Sequence, residues 1–208
     1  MQKPSFRQAL LKYWTPEQLA LLEQTTIGIA GAGGLGSNCA QLLVRSGFCR
    51  FTIVDFDIVE SSNLNRQFFF MDQIGTPKVS ALAENLKGIN PDIRINARQH
   101  KLDPTTISAI FADCDIIIEA FDRPEYKKML VETFLPSDKL IISASGLAGW
   151  GDSDRIRVHK IRENFYLVGD LVTGINEQPP VAPCVQIAAA KQADIVLEHV
   201  LGAMKGAD

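Results

Sequence analysis

Residues 26–47, TIGIAGAGGLGSNCAQLLVRSG, carry the clearest fold pattern of this 208-residue chain. Its apolar start, TIGIA, predicts a buried strand. Gly31, Gly33 and Gly36 then follow with the spacing G-x-G-x-x-G, which is typical of a tight turn between a strand and a helix. Apolar residues recur at helical spacing through the rest of the stretch, and FTIVDFD at 51–57 predicts the next strand. Together these segments predict the first βαβ unit of a doubly wound sheet.

Strands and helices continue to alternate beyond this unit. A helix is predicted to start at Pro77 with Gly88 just past its end, and Asp103 is expected to cap a short helix. The alternation predicts an α/β fold: a doubly wound, Rossmann-like, mostly parallel sheet with helices on both faces. The other predicted elements in this part are strands at 93–97, 115–121 and 139–145 and a helix at 123–135.

The C-terminal part has a different pattern. Two short alternating segments, 156–161 and 165–169, predict a small antiparallel extension of the sheet. A loop rich in Gly and Pro, 173–183, leads to an apolar closing helix at 185–201. We interpret the chain as a single domain, 1–208, with a helical lead-in at 1–24, a nucleotide-binding core at 25–145, and a C-terminal part at 146–208.

Composition argues against several classes of protein. The net charge is −3 and the sequence pI is about 5.7, whereas nucleic-acid binders usually have a basic excess, so no nucleic-acid partner is expected. No apolar stretch is long enough to cross a membrane, and no signal-peptide segment opens the chain, so a cytoplasmic protein is expected. None of the four cysteines forms a C-x-x-C pair, which predicts reduced thiols and no zinc site.

The glycine turn predicts nucleotide binding. The N–H groups and partial positive charge of a helix N-terminus suit a phosphate, and glycines allow the backbone to approach it. Asp55 ends the next strand 19 positions after Gly36, where a carboxylate meets a ribose hydroxyl. The alternative is a tight turn without a ligand, and the turn alone does not decide between ATP and NAD.

A polar segment after the second strand favours a triphosphate. Asn63, Arg66 and Lys78 follow Asp55 and Asp57 where an NAD domain normally continues into a helix. Arg binds phosphate with a planar fork and Lys as a point charge. A lysine at a helix N-terminus opposes the helix dipole, and a bound phosphate would relieve that. The alternative is a solvated loop with ordinary surface charges.

Asp122 is a candidate magnesium ligand. It follows the apolar strand at 115–121, at the sheet edge where ligands of open α/β sheets bind. A carboxylate there would hold Mg²⁺ against ATP phosphates, with Glu119 assisting from the strand. The alternative is that Asp122 is the N-cap of the helix that starts near Pro124.

These motifs together resemble the ThiF/MoeB/HesA family of ubiquitin-activating-type adenylyltransferases. The resemblance rests on GAGGLGS, VDFDxVExSNLNRQ, IGTPK and EAFD, in that order, and on 141–157 and 182–202, which are similar to the short, zinc-free ThiF subfamily. It extends from Thr26 to Gly202. The roles it implies are ATP contacts for Gly31, Gly33, Gly34, Gly36, Asp55, Asp57, Asn63, Arg66 and Lys78, Mg²⁺ binding for Asp122, and catalytic contacts for Arg66, Lys78, Asp122 and, from a partner subunit, Arg7.

The resemblance also implies an activity and partners. The expected reaction is adenylation, with ATP and Mg²⁺, of the C-terminal glycine of a ubiquitin-like sulfur-carrier protein of the ThiS type, for thiamine thiazole synthesis. A homodimer is expected, with 146–208 supplying the carrier and dimer surfaces. Cys184 is expected to be a packed thiol rather than a sulfur carrier, and Phe68, Phe69 and Phe70 either pack in the core or touch a partner.

Three alternatives remain open at this point. An NAD-dependent oxidoreductase explains the glycine turn and Asp55 but not the Asn, Arg and Lys residues that follow. A non-catalytic relative would bind a ubiquitin-like partner, or merely dimerise, without using ATP. A tRNA-modification dehydratase of the same superfamily would keep the adenylation chemistry and change the substrate.

Overall fold

The computed structural model describes residues 5–174 and 177–204 and contains one seven-stranded sheet. The strand order is β3-β2-β1-β4-β5-β7-β6; β6 and β7 pair antiparallel, and all other neighbours pair parallel. This confirms the predicted doubly wound sheet and its antiparallel extension. The strands are β1 Thr26–Ala30, β2 Arg50–Asp55, β3 Arg94–Gln99, β4 Ile116–Glu119, β5 Leu140–Ala144, β6 Arg157–Arg162 and β7 Phe165–Gly169.

Helices cover both faces of the sheet, because successive side chains of a strand point to opposite faces. Ile116 and Ile118 of β4 belong to one buried cluster, whereas Ile117 belongs to a second cluster that includes Phe111 and Leu130. The apolar runs noted in the sequence therefore reflect burial on two sides. The helices are α1 Phe6–Leu10, α2 Pro16–Gln24, α3 Gly34–Ser46, α4 Lys78–Ile89, α5 Ile107–Ile110, α6 Pro124–Phe134 and α7 Ala182–Leu201.

The helix ends follow local sequence signals. Thr15 caps α2 through its hydroxyl, which accepts the N–H of Gln18, and Pro16 occupies the first turn. Gly47 ends α3 in the left-handed conformation with a φ of 116°. The indole of Trp14 donates to the carbonyl of Ser46 at 3.0 Å, which ties the helical lead-in to the end of α3.

Some predicted boundaries were wrong by a few residues. Gly88 lies inside α4, which continues to Ile89; the site is open, with no other atom near, so glycine costs the helix little packing there. The Asp103 carboxylate accepts the N–H groups of Thr105 and Thr106 and so caps the turn before α5 rather than the helix itself.

The closing helix begins at Ala182, three residues earlier than predicted, since Pro183 is tolerated in a first helical turn. Parts of the predicted lead-in, of the Gly/Pro loop and of the C-terminus, namely residues 1–4, 175–176 and 205–208, lie outside the described residues. Among the helices that are described, none has the length and apolar character needed to span a bilayer.

Candidate active site

A cavity of about 890 Å³ opens at the carboxyl ends of β1, β2, β4 and β5. It lies where the strand order reverses on either side of β1, which is the ligand position expected for doubly wound sheets. Its size falls within the range of small-molecule sites. Nine of the residues predicted from the sequence line this cavity: Gly31, Gly33, Gly34, Asp55, Asp57, Asn63, Arg66, Lys78 and Asp122.

The glycines of the turn serve different purposes. Gly31 has a φ of 103°, and a Cβ there would approach the carbonyl of Ala120 to 2.7 Å, so β1 can pass close to the chain after β4. Gly34 leaves room for Val185 and the aliphatic part of Arg66. Gly36 is not on the cavity wall, and a Cβ there would collide with the carbonyl of Gly31. Gly36 therefore lets α3 pack on β1.

Asp55 is held in place beside the glycine turn. Its carboxylate accepts the N–H of Ala32 at 2.6 Å and the N–H of Asp57 at 2.8 Å. Burial raises the pKa of Asp55, although these two hydrogen bonds and the charge of Lys78 act in the opposite direction. A fixed, partly desolvated carboxylate at the end of β2 can accept hydrogen bonds from a diol such as ribose.

Lys78 is buried at the start of α4 and points its ammonium at a carboxylate. Its Nζ lies 2.9 Å from Asp57 Oδ2, and its side chain is 8% exposed whereas that of Asp57 is 47% exposed. Asp57 thereby offsets the unfavourable position of a cation at a helix N-terminus, a balance that the sequence did not reveal. The pair places a buried cation on the cavity wall with a counter-ion that water can still solvate.

Arg66 and Asn63 sit on the loop between β2 and α4. Arg66 Nη1 donates to Asn65 Oδ1 at 2.7 Å and to the carbonyl of Ser62 at 3.4 Å. Asn63 is buried, and its Oδ1 accepts the N–H of Glu60 at 3.0 Å, which closes the loop. The loop thus holds a guanidinium and an amide on the same wall as Lys78.

Asp122 and Glu119 have opposite surroundings. Asp122 is exposed on the cavity wall, and no hydrogen bond joins its carboxylate to any other described residue. Arg123, not Asp122, is the N-cap of α6, so the capping alternative does not apply. Glu119 is fully buried and accepts hydrogen bonds from its own neighbours, so the expectation that it assists a metal was wrong. These donors are the N–H of Phe121, Lys127 Nζ and the Ser143 hydroxyl.

Comparison with known proteins assigns the chain to a family. A match to the ThiF family extends over residues 6–205. The chain belongs to the ThiF family. Except for Gly36, the residues predicted to contact ATP line one cavity of this ThiF-family protein.

Two curated relatives and one solved structure illustrate the relationships of this ThiF-family chain. It is 31% identical over 188 residues to the adenylyltransferase and sulfurtransferase UBA4 of Candida glabrata, covering 87% of this chain and 43% of UBA4. It is 33% identical over 147 residues to the tRNA threonylcarbamoyladenosine dehydratase of Bacillus subtilis, covering 70% of this chain and 58% of the dehydratase. The chain thus spans about half the length of these relatives. The E. coli tRNA N6-threonylcarbamoyladenosine dehydratase TcdA, solved in complex with ATP, has the same fold, with a TM-score of 0.84 and 20% sequence identity. The match covers 95% of this chain and 94% of TcdA.

The sequence analysis missed several residues of this ThiF-family cavity. Gln67 lines it, is 8% exposed, and has a buried Oε1 with no hydrogen-bond partner among the residues that the structure describes. Its place directly after Arg66 in the same motif was a signal for it. The cavity is also lined by His100, Lys101 and Tyr126, which come from segments that have no motif of their own.

Three predicted features lie away from the cavity wall. Arg7 forms an ion pair with Glu23 on its own chain, with 2.8 Å between Nε and Oε1. Cys184 is 2% exposed in the first turn of α7, as expected for a packed thiol. Of the three phenylalanines, Phe69 is buried, Phe68 packs against the core, and Phe70 is 52% exposed.

Proposed function

We propose that this protein is an ATP-dependent adenylyltransferase that activates the C-terminal glycine carboxylate of a ubiquitin-like sulfur-carrier protein of the ThiS type. The observation that carries the proposal is the convergence of Arg66, Lys78 and Asp122 on one cavity beside the glycine turn. Two cations, the exposed carboxylate of Asp122 and the acid at the end of β2 together match a nucleoside triphosphate. We further propose that it works as a cytoplasmic homodimer in thiamine thiazole synthesis.

The proposed reaction needs alignment and charge stabilisation more than proton transfer. The carrier's terminal carboxylate attacks the α-phosphorus of ATP, an acyl adenylate forms, and pyrophosphate leaves. Because the nucleophile is already anionic at neutral pH, no general base is required. Arg66 and Lys78 stabilise the charge that develops on the phosphate oxygens, while Asp55 fixes the ribose and thereby orients the α-phosphate.

The cavity suits Mg²⁺ that is held partly by its substrate. Within residues 5–174 and 177–204, no three His, Cys, Asp or Glu side chains are grouped to bind a metal by themselves. Mg²⁺ needs only one or two carboxylates when phosphate oxygens and water complete its coordination. Asp122 fits that requirement, and Mg²⁺ held there would neutralise charge on the phosphates of ATP.

The second wall of the cavity supports a protein tail as the substrate. It comes from the end of β5 and from the C-terminal part of the chain, and its side chains are small or apolar. An extended glycine tail has little side-chain volume and would fit such a wall beside ATP. The residues of this wall that line the cavity are Ala144, Ser145, Gly146, Leu147, Ala148, Thr173, Gly174, Pro180 and Val185.

In the proposed homodimer, Arg7 acts in trans. Arg7 is half-exposed in α1 and does not line the cavity of its own chain, so a phosphate contact would come from the partner subunit. The ion pair with Glu23 would have to exchange for that contact. Mixing an Arg7→Ala variant with a Lys78→Ala variant tests this, since mixed dimers would regain one complete site.

A tRNA-modification dehydratase is the second candidate. It is favoured by the match to E. coli TcdA, which covers 94% of that chain with a TM-score of 0.84. The net charge of −3 weighs against a large phosphate-rich partner. Both candidates use adenylation, so the substrate distinguishes them.

The test is ATP–pyrophosphate exchange with purified candidate carriers that end in Gly-Gly. We expect exchange that depends on the carrier and that disappears when its terminal glycine is removed. A parallel reaction contains tRNA bearing threonylcarbamoyladenosine and no carrier. ATP turnover with that tRNA and no exchange with any carrier would instead favour the dehydratase. Binding of NADH with no binding of ATP would reject both candidates.

A further inference from the structure

A partly buried arginine outside the cavity connects the segments after β5 and β7, which carry residues of its second wall. Arg155 lies in the turn before β6, its side chain is 18% exposed, and it does not line the cavity. Its Nη1 donates to Asp170 Oδ2 at 2.5 Å and to Thr173 Oγ1 at 2.9 Å. Its Nη2 donates to the carbonyl of Ala148 and lies 3.8 Å from the sulfur of Cys184. We call Arg155, Asp170, Thr173 and the Ala148 carbonyl the Arg155 cluster.

Asp170 organises the chain that follows β7. Its Oδ1 accepts the N–H groups of Val172 and Thr173, both at 2.9 Å, and its Oδ2 accepts the Thr173 hydroxyl at 2.5 Å. These bonds hold Leu171 in the left-handed region with a φ of 64°. Burial opposes ionisation, but the hydrogen bonds and the charge of Arg155 outweigh it and lower the pKa of Asp170. The carboxylate is therefore ionised at neutral pH.

Backbone hydrogen bonds extend the Arg155 cluster to the cavity. Asp170 N–H donates to the carbonyl of Gly146 at 3.1 Å, and Leu171 N–H donates to that of Ser145 at 3.2 Å. Gly149 N–H donates to the carbonyl of Pro179 at 3.0 Å. The segment after β5 and the segment after β7 are thereby fixed to each other. Both carry cavity residues, among them Ala148 and Thr173.

The ion pair between Arg155 and Asp170 contributes more to local geometry than to the stability of the fold. A buried ion pair adds little net stability compared with apolar side chains of similar volume, because both charges lose their water. What it does supply is direction: a planar guanidinium with several donors fixes three partners at defined angles. Arg155 uses that capacity on Asp170, Thr173 and Ala148, which belong to two different segments of the wall.

We propose that Arg155 and Asp170 are positioning residues that hold the segments after β5 and β7 at a fixed spacing, so that the extended glycine tail of the carrier fits along the second wall. This inference rests on the proposed function, since it assigns the second wall to the carrier. Neither side chain lines the cavity. Their loss therefore weakens carrier binding and leaves the binding of ATP at the glycine turn intact.

The test compares Arg155→Met and Asp170→Asn with a matched control, Arg157→Met, which changes an exposed arginine two residues away on β6. In pyrophosphate exchange, we expect the carrier KM to rise at least about tenfold in both cluster variants, because small displacements of an aligned site have large effects. The Kd for ATP, measured without carrier, should stay within about twofold of wild type. The Arg157→Met control should match wild type in both the carrier KM and the Kd for ATP.

A second variant and a second readout cover the case in which Arg155→Met does not fold. Thr173→Val removes one hydroxyl of the Arg155 cluster and should raise the carrier KM in the same direction. Hydrogen exchange at the amides of Val172 and Thr173 should be about tenfold faster in the variants. A carrier KM equal to that of wild type, or a parallel loss of ATP binding, would overturn the inference. Absence of exchange by the wild-type enzyme with every carrier would instead reject the proposed function itself.

Discussion

Lys78→Met separates the chemistry of the cavity from the stability of the fold. Methionine keeps a long apolar stem in the buried site and removes only the ammonium. The carboxylate left behind, Asp57, is 47% exposed and can be solvated by water. We therefore expect the free energy of unfolding to change by less than about 1 kcal/mol, as for other pairs with one exposed partner.

The effect on catalysis should be much larger. An ammonium 4 Å from a phosphate oxygen contributes about 4 kcal/mol at an effective dielectric constant near 20. Asp57 lies 2.9 Å from the Lys78 ammonium and neutralises part of that charge, so we take about 3 kcal/mol, which agrees with the removal of one donor from a charge-stabilising site. That figure corresponds to a loss of roughly 150-fold in kcat/KM.

The assay is carrier-dependent pyrophosphate exchange, with thermal unfolding measured on the same samples. Lys87→Met is the control, because Lys87 lies on the same helix and is exposed in its last turn. Exchange by Lys78→Met within about twofold of wild type would refute a role for Lys78 in stabilising the transition state. A fall in activity that tracks a fall in unfolding temperature would refute the separation of chemistry from stability.

Three further predictions concern single residues. Asp122→Asn should lower exchange by about 10²-fold or more and raise the Mg²⁺ concentration needed for half-maximal exchange, and an unchanged Mg²⁺ dependence would contradict its proposed role. In thermal unfolding, Gly36→Ala should destabilise the protein by about 2 kcal/mol or more, because the added Cβ would meet the carbonyl of Gly31. Gly88→Ala, at an open helical site, should stabilise the protein by about 0.5–1 kcal/mol, and the opposite order of stabilities would refute the packing argument. Because burial raises the pKa of Asp55, its ionised form disappears at a higher pH than usual as the solution is acidified, and the affinity for adenosine should fall with it. Asp55→Asn should bind adenosine without that pH dependence.

The sequence was most informative where function depends on local geometry. The glycine spacing and the strand before it predicted the turn, and the position of Asp55 at a strand end predicted its place on the cavity. Arg66 and Lys78 were predicted because a polar loop after such a strand, and a lysine at the N-terminus of the next helix, are both unusual. In each case the signal lies within a few residues of the element that positions the side chain.

The sequence was least informative where partners come from distant segments. Lys78 and Asp57 are 21 positions apart, and only the path of the loop between β2 and α4 brings them into contact. Arg155 meets Asp170 across the β6–β7 hairpin for the same reason. Pairing of this kind depends on register and loop geometry, which hydrophobic periodicity does not encode. The seven-strand order likewise needed the structure, because alternation predicts parallel pairing but not which strand lies beside which.

Glu119 and Asp122, the two acids of the EAFD segment, are only three positions apart but are constrained by different interactions. The buried Glu119 carboxylate forms an ion pair with Lys127 and accepts a hydrogen bond from the Ser143 hydroxyl. It also accepts the N–H of Phe121 and so restrains the backbone after β4. A homologue that loses Glu119 should therefore also replace Lys127, whose ammonium is 25% exposed and would keep the carbonyl of Ala144 but lose its counter-ion. Asp122, in contrast, is constrained by the metal ion that we propose it binds. Substitutions at positions 119 and 122 should therefore occur independently of each other among homologues.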